Sequence, residues 1–250
     1  MLLLYVFVFL FGLITGSFLN VCIYRIPMNE SLIFPPSHCM RCGGKIAWYD
    51  LFPVVSFIIL NGRCRKCGGK IPLQYPLVEF ASGVVFLICF LKFGFSVIFI
   101  KSIFLLSVLI IVSFIDFEYS VIPGKLIIFL GIVGIILDIL GYKSNTSLLN
   151  FLYGFILGGG LIFLIVLITG AMGGGDVQLM ATIGIYLGLR LTLLTLLLSF
   201  VTGAAAGIVL IILKKKTRRD YIPFGPWISI AAFISVFLGE GMVNWYLSLL

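Results

Sequence analysis

Charge is what this chain has least of. Only 10% of its 250 residues are Asp, Glu, Lys or Arg, against 62% hydrophobic residues and a mean hydropathy of +1.26. Soluble domains are roughly half apolar and about a quarter charged, so this composition excludes a soluble globular protein. Histidine is scarcer still. The single one, His38, lies beside a cysteine, which leaves no Ser/His or Cys/His pair in the apolar stretches for nucleophilic catalysis. The opening LLLYVFVFLFGLITG has neither a basic leading segment nor a small-residue cleavage pattern, and reads as a first spanning helix rather than a removed signal peptide. The long apolar runs show no alternation of polarity, which favours helices over a β-barrel in lipid.

Runs at 2–24, 77–95, 97–115, 125–141, 149–169, 177–189, 191–213 and 226–249 are the candidate spans, each to be compared with the roughly 20 apolar residues that cross a bilayer. The pattern predicts an all-α polytopic membrane protein with about eight transmembrane helices. The boundary between the sixth and seventh rests on Gly188-Leu189-Arg190 alone; seven spans is the alternative. We divide the chain into a first transmembrane helix at 1–24, a cytoplasmic insert at 25–76 and a membrane-embedded core at 77–250.

A net charge of +8 would suggest nucleic acid in a soluble protein. In a membrane chain it reads as basic loops held on the cytoplasmic side, with no nucleic-acid partner. With the N-terminus outside, the inner side receives Arg25, Arg41, Lys45, Arg63, Arg65, Lys66, Lys70, Lys125 and the run KKKTRR at 214–219. Only Lys92, Lys101, Lys143 and Arg190 remain for the outer half. This orientation places the segments 116–124 and 170–176 on the cytoplasmic face.

The insert carries CMRCGGKI (39–46) and CRKCGGKI (64–71), two Cys-x-x-Cys pairs separated by 21 residues. A tetrahedral thiolate site needs two such knuckles, with glycines to let the chain turn. Cys39, Cys42, Cys64 and Cys67 are therefore read as ligands of a structural Zn2+, since four cysteines leave no open position for water. Redox pairs or disulfides are the alternative, disfavoured in a reducing cytosol. His38 is a rival ligand. Cys22 and Cys89 fall within spans and read as packing residues.

Nine acids are present. Glu30, Asp50 and Asp220 lie in loops; Asp138 and Glu240 fall near outer helix ends and are expected to be solvated. Glu79 is expected to interact with the dipole of the helix it begins. Asp116, in SFIDFEYSVIPGKL, and Asp176, in AMGGGDVQLM, remain. Singly, the first could mark a membrane boundary and the second could cap a helix. Together they place two carboxyls at one depth beside backbone breakers, and acids near a bilayer are functional candidates. Two adjacent carboxyls share one proton, which equips them to activate water and to protonate a peptide carbonyl. Glu118 is the rival to Asp116. Gly173, Gly174 and Gly175 would form a loop that lets an extended substrate approach.

At this point the chain resembles the prepilin peptidases, the type IV leader peptidases among the Gly-x-Gly-Asp intramembrane aspartic proteases. The resemblance runs through GSFLNVCIYRIP (16–27), YDLFPVVSF (49–57), GRCRKC (62–67), YPLVEF (75–80), IDFEYSVIP (115–123), GGGDVQLM (173–180) and IPFGPWISIAA (222–232). It implies removal of a short basic leader from prepilins or pseudopilins on the cytoplasmic side of a bacterial inner membrane. It also implies N-methylation of the new terminus with S-adenosylmethionine in many members. The catalytic pair carries over to Asp116 and Asp176, and the zinc ligands to Cys39, Cys42, Cys64 and Cys67. Two positions depart from the pattern: Gln178 stands where the family usually has Lys, and Gly124 where it often has an acid or Asn. Two other classes compete. An ion-coupled transporter could use the same acids, although such sites usually lie at the bilayer midplane, and a membrane scaffold could dock a partner on the insert.

Overall fold

The computed structural model describes residues 2–141, 148–170, 172–214 and 222–249. Lys143 and Lys215–Asp220, which include most of the basic run, lie outside the described residues. The helices are α1 (Leu2–Arg25), α2 (Val55–Ile59), α3 (Gln74–Phe93), α4 (Val97–Tyr119), α5 (Gly124–Leu140), α6 (Leu148–Thr169), α7 (Gly174–Ile212) and α8 (Gly225–Leu247). Among the described residues there is no β-sheet, only two isolated bridges in the insert.

Among the described residues, six helices are long and apolar enough to cross a membrane. At 17 residues, α5 sits at the lower limit for a span, roughly 17–25 residues. The 39 residues of α7 would make roughly 58 Å of straight helix, about twice the hydrocarbon thickness. Instead α7 breaks at Gly188 (φ 72°, ψ 179°), a backbone conformation that a side chain resists. The expected boundary is thus correctly placed. The helix α7 thus has two limbs, one on either side of Gly188.

The chain forms two compact units, Met1–Phe99 and Ile100–Leu250. In the first, α1 lies close along α3: a Cβ at Gly16 would stand 2.6 Å from the Cα of Glu79. Small residues permit that approach where lipid supplies no hydrophobic drive between helices. Tyr5 meets Phe90 and Phe9 meets Phe80 edge to face, and Asn20 Nδ2 donates to the Tyr75 carbonyl at 3.0 Å. Cys22 and Cys89 are buried, as their packing role requires.

In the second unit α6 packs against both limbs of α7. A Cβ at Gly158 would lie 2.7 Å from the Met180 carbonyl and 2.9 Å from the Thr192 methyl, so the chain passes the same glycine before and after its break. A break in a helix exposes polar backbone, which lipid cannot satisfy. Here side chains supply the partners. Leu189 N–H, which would bond to the Ile185 carbonyl in an unbroken helix, donates to Asn150 Oδ1 at 3.1 Å. The released Ile185 carbonyl accepts from Lys101 Nζ at 3.5 Å.

Lys101 also pairs with Asp138 and lies over the ring of Phe151, 4.1 Å from its centroid. This corrects the expectation of a solvated Asp138: the residue is buried, 8% exposed, like its lysine partner. Glu240 is exposed, as expected.

Lys101→Met leaves the Asp138 charge buried without its partner and is expected to cost about 3–5 kcal/mol. Lys101→Met combined with Asp138→Leu should recover most of that loss. Thermal melting of the purified protein in detergent checks both; equal melting of wild type and single variant contradicts the role given to the pair.

Candidate active site and metal centre

Asp116 is carried by the last turn of α4, which ends because Ser120 turns into the left-handed region (φ 55°) with its N–H on the Asp116 carbonyl. Pro123 then caps α5 in an extended conformation. Between them Ile122 presses on the first turn of α7, where a Cβ at Gly175 would stand 2.8 Å from the Ile122 Cβ. That contact joins the segment bearing one acid to the helix bearing the other.

Both acids are buried, Asp116 at 2% and Asp176 at 3% exposure. The charge of Asp116 acts on Asp176, so the two carboxyls lie within electrostatic reach of each other. Glu118, the rival, is exposed.

Each carboxylate takes an N–H from a helix beginning. Asp176 Oδ2 accepts from Gly173, the residue that caps α7, at 3.0 Å. It is therefore not itself the cap; it reaches back from the first turn. Asp116 Oδ2 accepts from Gly225, the first residue of α8, at 2.8 Å. Helix N-termini offer unpaired amides and a positive dipole end, the complement of a buried carboxyl group. Gly225 is required there, since a Cβ would stand 2.8 Å from Asp116 Oδ2. Asp176 Oδ1, also buried, has no hydrogen-bond partner in the protein.

The glycine loop needs correction. Only Gly173 is outside the helix, in an extended conformation; Gly174 and Gly175 already belong to α7. Gly225 was not singled out from the sequence, although its FGPW setting, a Gly-Pro pair opening an apolar run, marks a helix start.

In the first unit the four sulfurs of Cys39, Cys42, Cys64 and Cys67 lie within 4.8 Å of one another. Cys39 and Cys67 are 3.9 Å apart. Sulfurs around a tetrahedral ion with ~2.3 Å bonds stand roughly 3.8 Å apart, whereas a disulfide would hold them at ~2.0 Å.

The two knuckles are near copies. Gly43 N–H bonds to Cys39 O and Gly68 N–H to Cys64 O, with both glycines at φ of 65–66°. Arg41 of the first knuckle covers Gly69 of the second, and Lys66 of the second covers Gly44 of the first. Amides of Cys42 and Arg41 stabilise the Cys39 thiolate and bring its pKa down to about 6. The cluster is suited to hold a metal ion. His38 is outside it, with Nδ1 on the Pro36 carbonyl.

Glu79 also differs from expectation. It lies beyond the first turn of α3, which contains no acid, and its Oε2 accepts the Val54 N–H at 2.7 Å.

The fold defines a multi-pass membrane protein with a buried pair of acids and a four-cysteine insert. Residues 10–93 match the bacterial peptidase A24 N-terminal domain, and residues 103–208 match the type IV leader peptidase family. The chain is 36% identical to a prepilin leader peptidase/N-methyltransferase of Myxococcus xanthus, over 83% of this chain and 63% of that one. It is 31% identical to proteins of the same description from Aeromonas salmonicida and Bacillus subtilis, over 96% of this chain and 93% and 97% of theirs. This chain belongs to the type IV leader peptidase family. No solved structure matches it.

Chelation is expected to unfold the insert, because a small loop that closes on metal draws its folding energy from it. Stripping should be faster at pH 5.5 than at pH 7.5, since protons compete for the thiolates, and Cys64→Ser should lower the bound metal. Metal content per chain and tryptophan emission from Trp48 report both; an insert indifferent to chelator contradicts the metal centre.

Proposed function

We propose that the chain is a membrane aspartic endopeptidase that removes the short basic leader of type IV prepilins or pseudopilins. It then N-methylates the new terminus. The observation that carries the peptidase reading is the buried carboxyl pair, each member held by a helix-start amide, with one oxygen of Asp176 left unpartnered.

Ionised Asp176 takes a proton from water through Oδ1, and the water oxygen attacks the scissile carbonyl carbon. Protonated Asp116 donates to the carbonyl oxygen. As the tetrahedral species collapses, the carbon–nitrogen bond breaks. The leaving amine takes the proton from Asp176, and the hydroxyl proton returns to Asp116. The Gly173–Gly175 stretch, small and at the lip of α7, gives the extended substrate access.

The basic loops support an N-terminus outside and an active site facing the cytoplasm. Zn2+ held by Cys39, Cys42, Cys64 and Cys67 would serve the insert structurally. S-adenosylmethionine, when bound, supplies an electrophilic methyl group on a sulfonium for transfer to the freed amine.

Asp116→Asn and Asp176→Asn should each lower leader removal by at least about 100-fold, the lower range for general acid–base groups, while the proteins still accumulate. Co-expression with a pilin-like precursor, followed by mass spectrometry, reads the cleavage site and any added methyl. Normal processing by either variant rejects the mechanism. Gly225→Ala, which forces a methyl against Asp116 Oδ2, should slow cleavage, though less than Asp116→Asn does.

A further inference from the structure

Residues 51–60 of the insert read LFPVVSFIIL, a run with one hydroxyl and no charge. A water-facing helix turns its apolar residues inward and its polar ones outward. Here the arrangement is inverted. Ser56 is buried and donates its hydroxyl to the Tyr49 carbonyl at 3.3 Å. Phe52, Val55, Ile58 and Ile59 are 52–68% exposed, and their spacing puts Val55, Ile58 and Ile59 on one face of α2. Trp48, 75% exposed, continues the patch, its ring edge to face with that of Phe52.

A spanning helix fixes where this face lies. The 20 residues of α3 make roughly 30 Å of helix, the thickness of the hydrocarbon layer, so α3 has no length to spare outside it. Glu79 lies five residues into α3. Its Oε2 accepts the N–H of Val54, the residue that caps α2, at 2.7 Å. Five residues are roughly 7.5 Å of helix. The tie therefore holds α2 at the boundary of headgroups and acyl chains, where interfacial helices bury their apolar faces by roughly 5–10 Å. Leu77 and Phe80, on either side of Glu79 in α3, are exposed as well.

Charge completes the match. Arg41, Lys45, Arg63, Lys66 and Lys70 of the insert are exposed. Its acids are Glu30 and Asp50, and Asp50 is paired with Arg65. An apolar face edged by an aromatic ring and accompanied by basic side chains fits acyl chains beneath phosphate headgroups. A protein partner would have to reach that face through the headgroups. We propose that residues 48–59 form a membrane-surface anchor. The exposed face of α2, with Trp48 and Phe52, lies in the headgroup boundary of an anionic bilayer and seats the four-cysteine insert there. The anchor depends on α1 and α3 crossing the membrane and not on the peptidase reading.

The test is photolabelling of the purified full chain in vesicles of phosphatidylethanolamine and phosphatidylglycerol. The vesicles include a phospholipid with a diazirine near the carbonyl end of one acyl chain, and trypsin with mass spectrometry locates the label. The peptide 46–63 should take up label to within about threefold of the peptide 71–92, which holds α3, because the two share a depth. Ile58→Ser combined with Ile59→Ser removes two apolar side chains from lipid. It should lower labelling of 46–63 at least about fivefold and leave that of 71–92 unchanged. Label confined to the spanning helices overturns the anchor, and so does labelling of 46–63 that the double variant leaves at the wild-type level. Crosslinks between copies of the chain through Ile58 or Ile59, without lipid label there, assign the face to a second copy and overturn it too. Should the double variant fail to fold, the wild-type labelling decides, since it needs no substitution.

Discussion

A carboxyl group removed from water must be compensated by hydrogen bonds, and the second unit contains two such groups. Asp116 and Asp176 come from different helices, and each is held by an amide at the start of a helix, α8 and α7 respectively. Three features follow from that requirement. The α4–α5 link must press Ile122 on the first turn of α7, α8 must begin at a residue without a side chain, and Gly173 must present its N–H back to Asp176. Because the amides are fixed by helix geometry, the two carboxyls are held without side-chain rearrangement.

Lipid makes a matching demand on the backbone. The reversal at Gly188 interrupts a helix and releases one backbone bond. The structure divides that bond between two side chains, Asn150 for the N–H and Lys101 for the carbonyl. Lys101 can serve there only because Asp138 neutralises it. A break in a membrane helix therefore needed two polar side chains and a counter-ion. This explains why so charge-poor a sequence places an acid and a base inside its helices. The break in turn lets the two limbs of α7 share the glycine face of α6.

What was legible in the sequence was the chemistry that has a pattern. The cysteine knuckles repeat, and their spacing leads directly to a four-sulfur cluster. The two acids stand out because acids are so few, and Gly188 marked the reversal within a single apolar run. Pairings between distant residues were not legible. Nothing around Asp138 announces Lys101, 37 residues earlier, so burial was misread as solvation. Gly225 meets Asp116 across 109 residues. Its role depends on where α8 begins in space, not on any local signal beyond a Gly-Pro helix start. The glycines before Asp176 were read as a loop because glycine opposes helix, yet two of them lie in the first turn. There glycine is tolerated, and Gly175 is needed to admit Ile122.

The two departures from the family pattern turn out to be neighbours. A Cβ at Gly124 would stand 3.2 Å from Oε1 of Gln178, so an acidic side chain at the first position would reach a lysine at the second. In this chain a glycine faces a neutral amide. Gln178 is exposed, two residues beyond Asp176 and so on another side of the helix. Neither position therefore carries a charge, and the buried acids keep their own amide partners. A lysine alone at 178 would have added an uncompensated charge beside the site, and an acid alone at 124 a third negative group near two others. With a glycine and an amide at these two positions, neither adds a charge beside the buried acids.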